Sequence, residues 1–202
     1  MKKFIKQIII CLIFITSTFN VHAEENMVKN TKPLVVYFSK TGEQYSVGNI
    51  TTGNTAIIAQ MIADATNADV FEVKVKNDNY PTAYKALTEV ALQEKKSGAR
   101  PEYVGEAPDF DNYDVIFVGT PNWWSDMPMV LYTFIEAHNW QNKTVAPFVT
   151  HEGSGLSSIP EKIRSATGAN VTDGLAVYGH DAQNNREKAN KAVQNWLKEI
   201  GF

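Results

Sequence analysis

Two short segments rich in hydroxyl, amide and glycine residues follow the apolar run at residues 34–38. They contain Ser39, Lys40, Thr41 and Gly42, and then Gly53, Asn54 and Thr55. At a turn from a strand to a helix, such groups can surround a phosphate with hydrogen bonds, and the helix dipole favours the negative charge. The segments therefore predict a phosphate site that needs little formal positive charge. The alternative is that Thr52 or Asn54 simply caps the helix.

Two common nucleotide-binding patterns do not match these segments. A P-loop has Gly-Lys-Ser/Thr where its helix begins, whereas this chain has Gly53-Asn54-Thr55. Because no lysine is placed to meet a terminal phosphate, a nucleoside triphosphate fits poorly. The glycine spacing also differs from the dinucleotide-binding pattern Gly-x-Gly-x-x-Gly.

A tryptophan pair follows the apolar run at residues 115–118. The segment contains Pro121, Asn122, Trp123 and Trp124, and Pro128 closes it. Tryptophan offers a large flat surface and an N–H that needs a partner, so two adjacent rings indicate a planar ligand. The competing interpretation is that the rings pack over the sheet edge as ordinary core residues.

The segment after the apolar run at residues 145–149 is rich in small residues. It contains Thr150, His151, Glu152, Gly153, Ser154 and Gly155. Glycine lets backbone N–H groups reach the carbonyl edge of a ligand. His151 is the candidate catalytic residue, as a hydrogen-bond partner or a proton donor near neutral pH, although a structural role explains it as well. No pair of histidines or carboxylates has the spacing of metal ligands, so we expect no metal.

Alternating strands and helices must position these segments. Apolar runs predict strands at residues 34–38, 69–75, 115–118, 145–149 and 175–178. Apolar residues at three- and four-residue spacing predict helices at residues 55–65, 84–95, 129–137, 159–166 and 187–200. The alternation indicates βαβ units with right-handed crossovers. We therefore expect an α/β fold with three layers, built on a doubly wound parallel sheet of five strands in the order 2-1-3-4-5.

In such a sheet, ligands bind beyond the carboxyl ends of the strands, where the strand order reverses. The segments after strands one, three and four should then lie close together. We interpret them as three loops of one site.

Taken together, the three loops resemble those of the flavodoxin-like family, in the branch whose first loop is lengthened. The resemblance is carried by Tyr37-Phe38-Ser39-Lys40-Thr41-Gly42, Gly53-Asn54-Thr55, Pro121-Asn122-Trp123-Trp124 with Met127-Pro128, and Thr150-His151-Glu152-Gly153-Ser154-Gly155. It implies flavin mononucleotide (FMN) as the cofactor. It also implies that the phosphate is bound by Ser39, Thr41, Asn54 and Thr55, with backbone N–H groups around Gly42 and Gly53. Residues 121–124 and 150–155 would border the flavin ring.

The resemblance also bears on how the flavin would be covered. Electron-carrying members of the family typically hold the ring between two aromatic side chains, one from each ring-side loop. Here the loop after strand four has no aromatic residue before Pro160. One face of the flavin would then be open, or covered from outside these loops. An open face suits hydride transfer from a nicotinamide, or reduction of a flat acceptor such as a quinone.

Three functions remain compatible with the sequence, which names neither an electron donor nor an acceptor. The first is FMN-dependent electron transfer that reduces a small acceptor. The second is a carrier of single electrons between protein partners. The third is a cofactor-free protein of this shape that binds a partner.

The amino end of the chain is typical of an export signal. Lys2, Lys3 and Lys6 precede a short apolar run, and Val21-His22-Ala23 places small residues where a signal peptidase cuts. We predict a signal peptide at residues 1–23, export to the periplasm, and no stable membrane anchor after cleavage. Cleavage removes three lysines and changes the formal net charge from −3 to −6. This acidic balance argues against nucleic-acid binding.

The remaining chain is long enough for one core of ordinary size. Residues 24–32 are polar and predict a disordered lead-in, and residues 33–202 predict a single flavodoxin-like domain. Cys11 is the one cysteine of the chain and lies in the predicted leader, so we expect no disulfide in the mature protein.

Overall fold

The computed structural model describes residues 32–107 and 109–202. The predicted signal peptide, residues 1–23, and residues 24–31 of the predicted lead-in lie outside the described residues. Within the described ranges, no helix combines the length and the apolar character that a membrane span requires.

Each predicted strand and helix has a counterpart among the described residues, and the structure adds short strands and a helix at residues 179–184 that were not predicted. The strands are β1 (Leu34–Tyr37), β2 (Gly42–Gln44), β3 (Gly48–Ile50), β4 (Asp69–Glu72), β5 (Lys74–Val75), β6 (Tyr103–Val104), β7 (Val115–Pro121), β8 (Thr144–His151), β9 (Asn170–Val171) and β10 (Leu175–Tyr178). The helices are α1 (Asn54–Thr66), α2 (Tyr84–Ser97), α3 (Met129–Glu136), α4 (Ile159–Thr167), α5 (Gly179–Asn184) and α6 (Arg186–Glu199).

The main sheet is parallel and has the order β10-β8-β7-β1-β4, with the short β9 also pairing with β8. Counted over the five predicted strands, this order is 2-1-3-4-5, so the fold prediction is confirmed. The strand order reverses between β1 and β7, whose register pairs Val35 with Phe117. The loops after β1, β7 and β8 therefore meet at one edge of the sheet.

Helices cover both faces of this sheet. In β1, Leu34 and Val36 belong to one buried cluster, whereas Val35 between them belongs to the other. The first cluster includes side chains of α2, α3 and α4, and the second includes side chains of α1, α5 and α6. Successive strand residues face opposite layers, and this explains why the central strands are apolar throughout.

The second predicted strand is divided in the structure. β4 pairs with β1 as far as Glu72, and the Val73 amide still donates to the Tyr37 carbonyl at 2.8 Å. Lys74 and Val75 then leave the main sheet and pair with β6 in antiparallel fashion. The apolar pattern of residues 69–75 does not mark this change of partner.

The lengthened first loop folds as a β-hairpin. β2 and β3 pair in antiparallel fashion with Glu43 opposite Asn49, outside the main sheet. The hairpin is attached to the start of α2: the Glu43 amide donates to the Thr82 carbonyl at 2.8 Å, and the Glu43 carboxylate accepts from the Tyr84 amide at 2.9 Å. These contacts place one side of the hairpin beside the carboxyl edge of the sheet.

Close packing of β7 against β8 shapes that edge. Gly119 of β7 is in register with Phe148 of β8, and a Cβ atom at residue 119 would lie 2.1 Å from the Phe148 ring. The ring occupies the space that a side chain at residue 119 would need.

Candidate functional site

The loops after β1, β7 and β8 line one cleft at the carboxyl edge of the sheet. Its volume is about 700 Å³, including space open to solvent. The predicted site residues that line the cleft are Ser39, Lys40, Asn54, Thr55, Pro121, Asn122, Trp123, Thr150, His151, Glu152 and Ser154.

The amino end of α1 forms one end of the cleft. The Ser39 hydroxyl accepts from the Ala56 amide at 3.1 Å, and no side chain caps the helix at Gly53. A Cβ atom at residue 53 would lie 2.1 Å from the Ser39 hydroxyl and 2.9 Å from the Lys40 carbonyl, so glycine is required for this contact. The turn after β1 and the start of α1 are therefore in direct contact, and the positive end of the helix dipole faces the cleft.

Hydrogen bonds connect this end of the cleft to its other walls. The Thr55 and Thr150 hydroxyls lie 2.8 Å apart, and both residues are buried. The Asn54 side-chain oxygen accepts from Gln183 at 2.7 Å. The first loop is thus fixed to β8 and to α5.

Formal positive charge in the first loop is neutralised by a carboxylate of the segment between β5 and α2. The Lys40 ammonium lies 3.0 Å from the Asp78 carboxylate, and the Lys40 side chain is only 11% exposed. Thr41 is exposed and lines a separate groove, while Gly42 begins β2 and packs against Thr82. An anion at α1 would consequently meet hydroxyls, amides and the helix dipole rather than a free cation.

The two tryptophans of the second loop have different surroundings. Trp123 lines the cleft and packs edge-on against Phe38 and Tyr80, with ring centroids 5.4 and 5.5 Å away. Trp124 is 49% exposed, and its indole N–H donates to the Thr88 carbonyl at 2.9 Å. Trp124 lines an adjoining groove instead of the cleft.

Asn122 joins the second loop to the third. Its backbone amide donates to the Thr150 carbonyl at 2.9 Å, and its side-chain amide donates to Gly155 O at 3.0 Å and Ser157 Oγ at 2.9 Å. Its side-chain oxygen accepts from the Ser125 amide at 3.0 Å. One side chain therefore sets the spacing of the two ring-side loops.

A buried carboxylate holds the far end of the second loop. Asp126 is 5% exposed, and it accepts from the Met127 amide and the Tyr132 hydroxyl at 2.9 Å each. The Lys162 ammonium contacts the same carboxylate, and the Lys95 ammonium lies 3.6 Å from it. Burial and the hydrogen bond to Asp126 raise the pKa of Tyr132, so the phenol remains a donor to Asp126.

In the third loop, His151 is held as a neutral side chain. The Gly153 amide donates to His151 Nδ1 at 2.9 Å, which places the proton of the neutral ring on Nε2. Burial lowers the pKa of His151, and the His151 ring packs against Tyr178 with centroids 4.4 Å apart.

The neighbouring Glu152 bonds to α5 rather than to His151. Its carboxylate accepts from the His180 amide at 2.8 Å and lies 2.8 Å from His180 Nδ1. Ser154 lines the cleft beside it, whereas Gly153 and Gly155 supply backbone contacts within and between the loops.

Three residues that line the cleft were not predicted from the sequence. Gln44 and Tyr45 come from the hairpin, and Tyr84 comes from the start of α2. The Tyr45 and Tyr84 rings lie 5.7 Å apart at 34° to each other. Aromatic surface from outside the three loops therefore reaches the cleft. An aromatic residue in the inserted segment, Tyr45, was the one indication of this surface. The sequence does not show how the segment pairs, and it therefore does not show that Tyr45 lies at the site.

No group of three or more His, Cys, Asp or Glu residues in the described part of the chain is arranged to hold a metal ion.

Known proteins share this fold along nearly their whole length. A family model for flavodoxin matches residues 32–200. Candidate flavoproteins from Bacteroides eggerthii and Bacteroides uniformis are each 26% identical to this chain, with TM-scores of 0.66 and 0.64. The first alignment covers 86% of this chain and 99% of the relative, and the second covers 84% and 99%.

A flavoprotein from Lactobacillus acidophilus, crystallised in complex with FMN, is 24% identical with a TM-score of 0.59. That alignment covers 77% of this chain and 97% of the relative. Among curated proteins, none matches the chain significantly. Because the family model spans more than four-fifths of the sequence, the chain belongs to the flavodoxin family.

Proposed function

We propose that this protein binds FMN non-covalently in the cleft and uses it for electron transfer, reducing a small acceptor such as a quinone. The observation that carries the proposal is the meeting of the α1 amino end, Trp123 and the loop after β8 in one cleft. The Lactobacillus acidophilus relative, crystallised with FMN, supports the choice of cofactor.

The residues present fit FMN at both ends of the cleft. At α1, Ser39, Asn54 and Thr55 would hold the phosphate together with backbone amides at the start of the helix, as expected for a phosphate site without a lysine clamp. At the other end, Trp123 and Tyr45 offer flat apolar surface to the ring. FMN would supply the electron-accepting and electron-donating chemistry, and the protein would orient it and set its environment.

His151 is the proposed hydrogen-bond partner or proton donor beside the ring. Because Nδ1 accepts from Gly153, Nε2–H is the donor available to a ligand. The lowered pKa keeps this donor neutral near pH 7. His151 would therefore contribute a fixed neutral hydrogen bond more readily than a positive charge.

Phosphate recognition gives a direct test of the proposal. FMN and riboflavin share the ring and differ in the phosphate, so the purified protein should bind FMN at least about tenfold more tightly. Quenching of flavin fluorescence measures both affinities. Ser39→Ala should weaken FMN binding about tenfold and leave riboflavin binding nearly unchanged. Ser165→Ala, which removes an exposed hydroxyl from α4, is the matched control.

The same titrations separate the competing functions. Failure to bind FMN at micromolar concentration would overturn both redox functions and leave a cofactor-free binding protein. If FMN binds, added NADH or NADPH distinguishes the other two. A reductase oxidises the nicotinamide rapidly in the presence of a quinone, whereas a carrier of single electrons between proteins does not.

A further inference from the structure

A second groove adjoins the FMN cleft. It lies between β2 of the hairpin, one face of α2 and residues 122–125, and its volume is about 750 Å³, including space open to solvent. Gln44, Tyr84 and Trp123 line both the groove and the cleft. A molecule in the groove would therefore border a molecule in the cleft.

The groove has an uncharged and strongly aromatic lining. Tyr84, Trp123 and Trp124 supply rings, and Leu87 and Ala91 of α2 supply buried aliphatic surface. None of the described side chains that line it is charged, although one-fifth of the whole chain is Asp, Glu, Lys or Arg. Such a lining favours a flat, uncharged ligand and disfavours an ion, which would lose hydration without gaining a partner.

Gln44 adds a specific polar feature at the junction of groove and cleft. Its side-chain Nε2 is buried and has no hydrogen-bond partner among the described residues. A buried donor without a partner is uncommon because it loses the hydrogen bonds that water would provide. If the Gln44 side chain turned its amide towards the groove, a carbonyl oxygen on a bound ligand would satisfy it.

The exposed wall of the groove is held in place by the protein. Trp124 and Ser125 both have φ of +58°, a left-handed conformation that costs energy for residues other than glycine. The indole N–H bond to Thr88 O and the Lys95 bond to Trp124 O fix this conformation. The ring thereby stays at the surface, facing the groove, instead of turning into the core.

We propose that this groove binds an uncharged, planar aromatic carbonyl compound, with Gln44 Nε2 donating to the carbonyl oxygen. That this compound is the electron acceptor rests on the proposed FMN function. That the groove binds such a compound does not depend on FMN.

Three probes that differ in one property each test the recognition. 1,4-Naphthoquinone is flat, neutral and carries carbonyls; naphthalene lacks the carbonyls; and 1,4-naphthoquinone-2-sulfonate carries a charge. NMR of the isotope-labelled protein, with and without FMN, should show naphthoquinone shifting the indole N–H of Trp124 and the side-chain amide of Gln44. Naphthalene should bind about five- to tenfold more weakly for want of the hydrogen bond, and the sulfonate more weakly still.

Variants of the protein, tested with the same probes, locate the site. Gln44→Leu should reduce naphthoquinone affinity about five- to tenfold and leave naphthalene affinity unchanged or higher. Gln93→Leu makes the same chemical change on the exposed side of α2 and should change neither. Thr88→Trp should obstruct the groove and abolish the naphthoquinone shifts, whereas Glu89→Trp, one residue further along the exposed helix surface, should not.

The outcomes distinguish this proposal from the FMN proposal. Tight FMN binding without naphthoquinone shifts at Trp124 or Gln44 would overturn the groove and leave the flavin function standing. Naphthoquinone shifts in a protein that fails to bind FMN would support the groove and overturn the flavin function. Equal affinity for the sulfonate, or no effect of Thr88→Trp, would show that the ligand binds elsewhere.

Discussion

At the scale of single residues, the Thr55–Thr150 pair connects the two halves of the cleft. Thr55→Val keeps the shape of the side chain but leaves the buried Thr150 hydroxyl without its partner. We expect this change to lower the free energy of unfolding by about 1–3 kcal/mol. Adding Thr150→Val should restore part of the loss, since two apolar groups then replace the bonded pair.

Urea denaturation of the wild type, both single variants and the double variant gives the coupling between the two residues. Purely additive losses would show that the hydroxyls do not depend on each other. FMN affinity in the same variants separates a role in phosphate binding from a purely structural one.

His151 provides a prediction about pH. Because burial lowers its pKa in the folded protein, the unfolded chain takes up the proton first as the pH falls. The folded state therefore loses stability as the pH drops below about 6.5, the ordinary pKa of histidine. His151→Asn cannot titrate, so its stability should fall less between about pH 7.5 and about pH 5.

Denaturant unfolding across that pH range measures the difference between variant and wild type. Parallel pH profiles would show that His151 has the same pKa in the folded and unfolded chain.

The sequence predicted cleft residues that lie at or shortly after the carboxyl end of a buried strand, because the positions of the strand ends determine where these residues lie. Ser39, Trp123 and Thr150 are examples, and all three line the cleft. Gln44 and Tyr45 could not be placed in this way. Their position depends on the hairpin pairing and on the Glu43–Thr82 contact, which no local pattern specifies.

At the scale of elements, Lys143 ties the 3-10 helix at Phe110–Asn112 to the start of β8. The residue is 6% exposed, and its ammonium donates to the carbonyls of Phe110, Asp111 and Tyr113 at 3.1, 3.2 and 2.7 Å. Lys143→Met keeps the apolar stem and removes all three bonds. We expect it to cost about 2–4 kcal/mol of unfolding free energy.

Lys74→Met is a suitable control, because the Lys74 side chain is 63% exposed and its ammonium pairs with the Glu72 carboxylate. This change should cost less than about 0.5 kcal/mol in the same denaturation assay. Similar losses for the two variants would contradict a structural role for the buried ammonium.

The elements themselves were largely predictable, since buried strands and amphipathic helices have distinct apolar periods. The exceptions are informative. Residues 69–75 exchange one pairing partner for another at Val73, and the partner strand β6 lies far along the chain. Pairing with a distant strand does not change the spacing of apolar residues within the segment, so the sequence does not show it.

At the scale of the whole molecule, we propose that the chain is exported and cleaved after Ala23. The basic start, the short apolar run and the small residues at the cut site support this proposal. The mature protein should then begin at Glu24 and appear in the periplasmic fraction. Mass spectrometry of the protein from fractionated cells measures its amino terminus, and an uncut chain in the membrane fraction would contradict cleavage.

The close contact between Gly119 and Phe148 has a consequence for how this protein can vary through evolution. A side chain at residue 119 requires the space that the Phe148 ring fills, so the two positions are not independent. An enlarged residue at the first position is tolerable only together with a smaller one at the second. Among descendants of this chain, substitutions at these sites should therefore occur in pairs, even though residues 119 and 148 are far apart along the polypeptide.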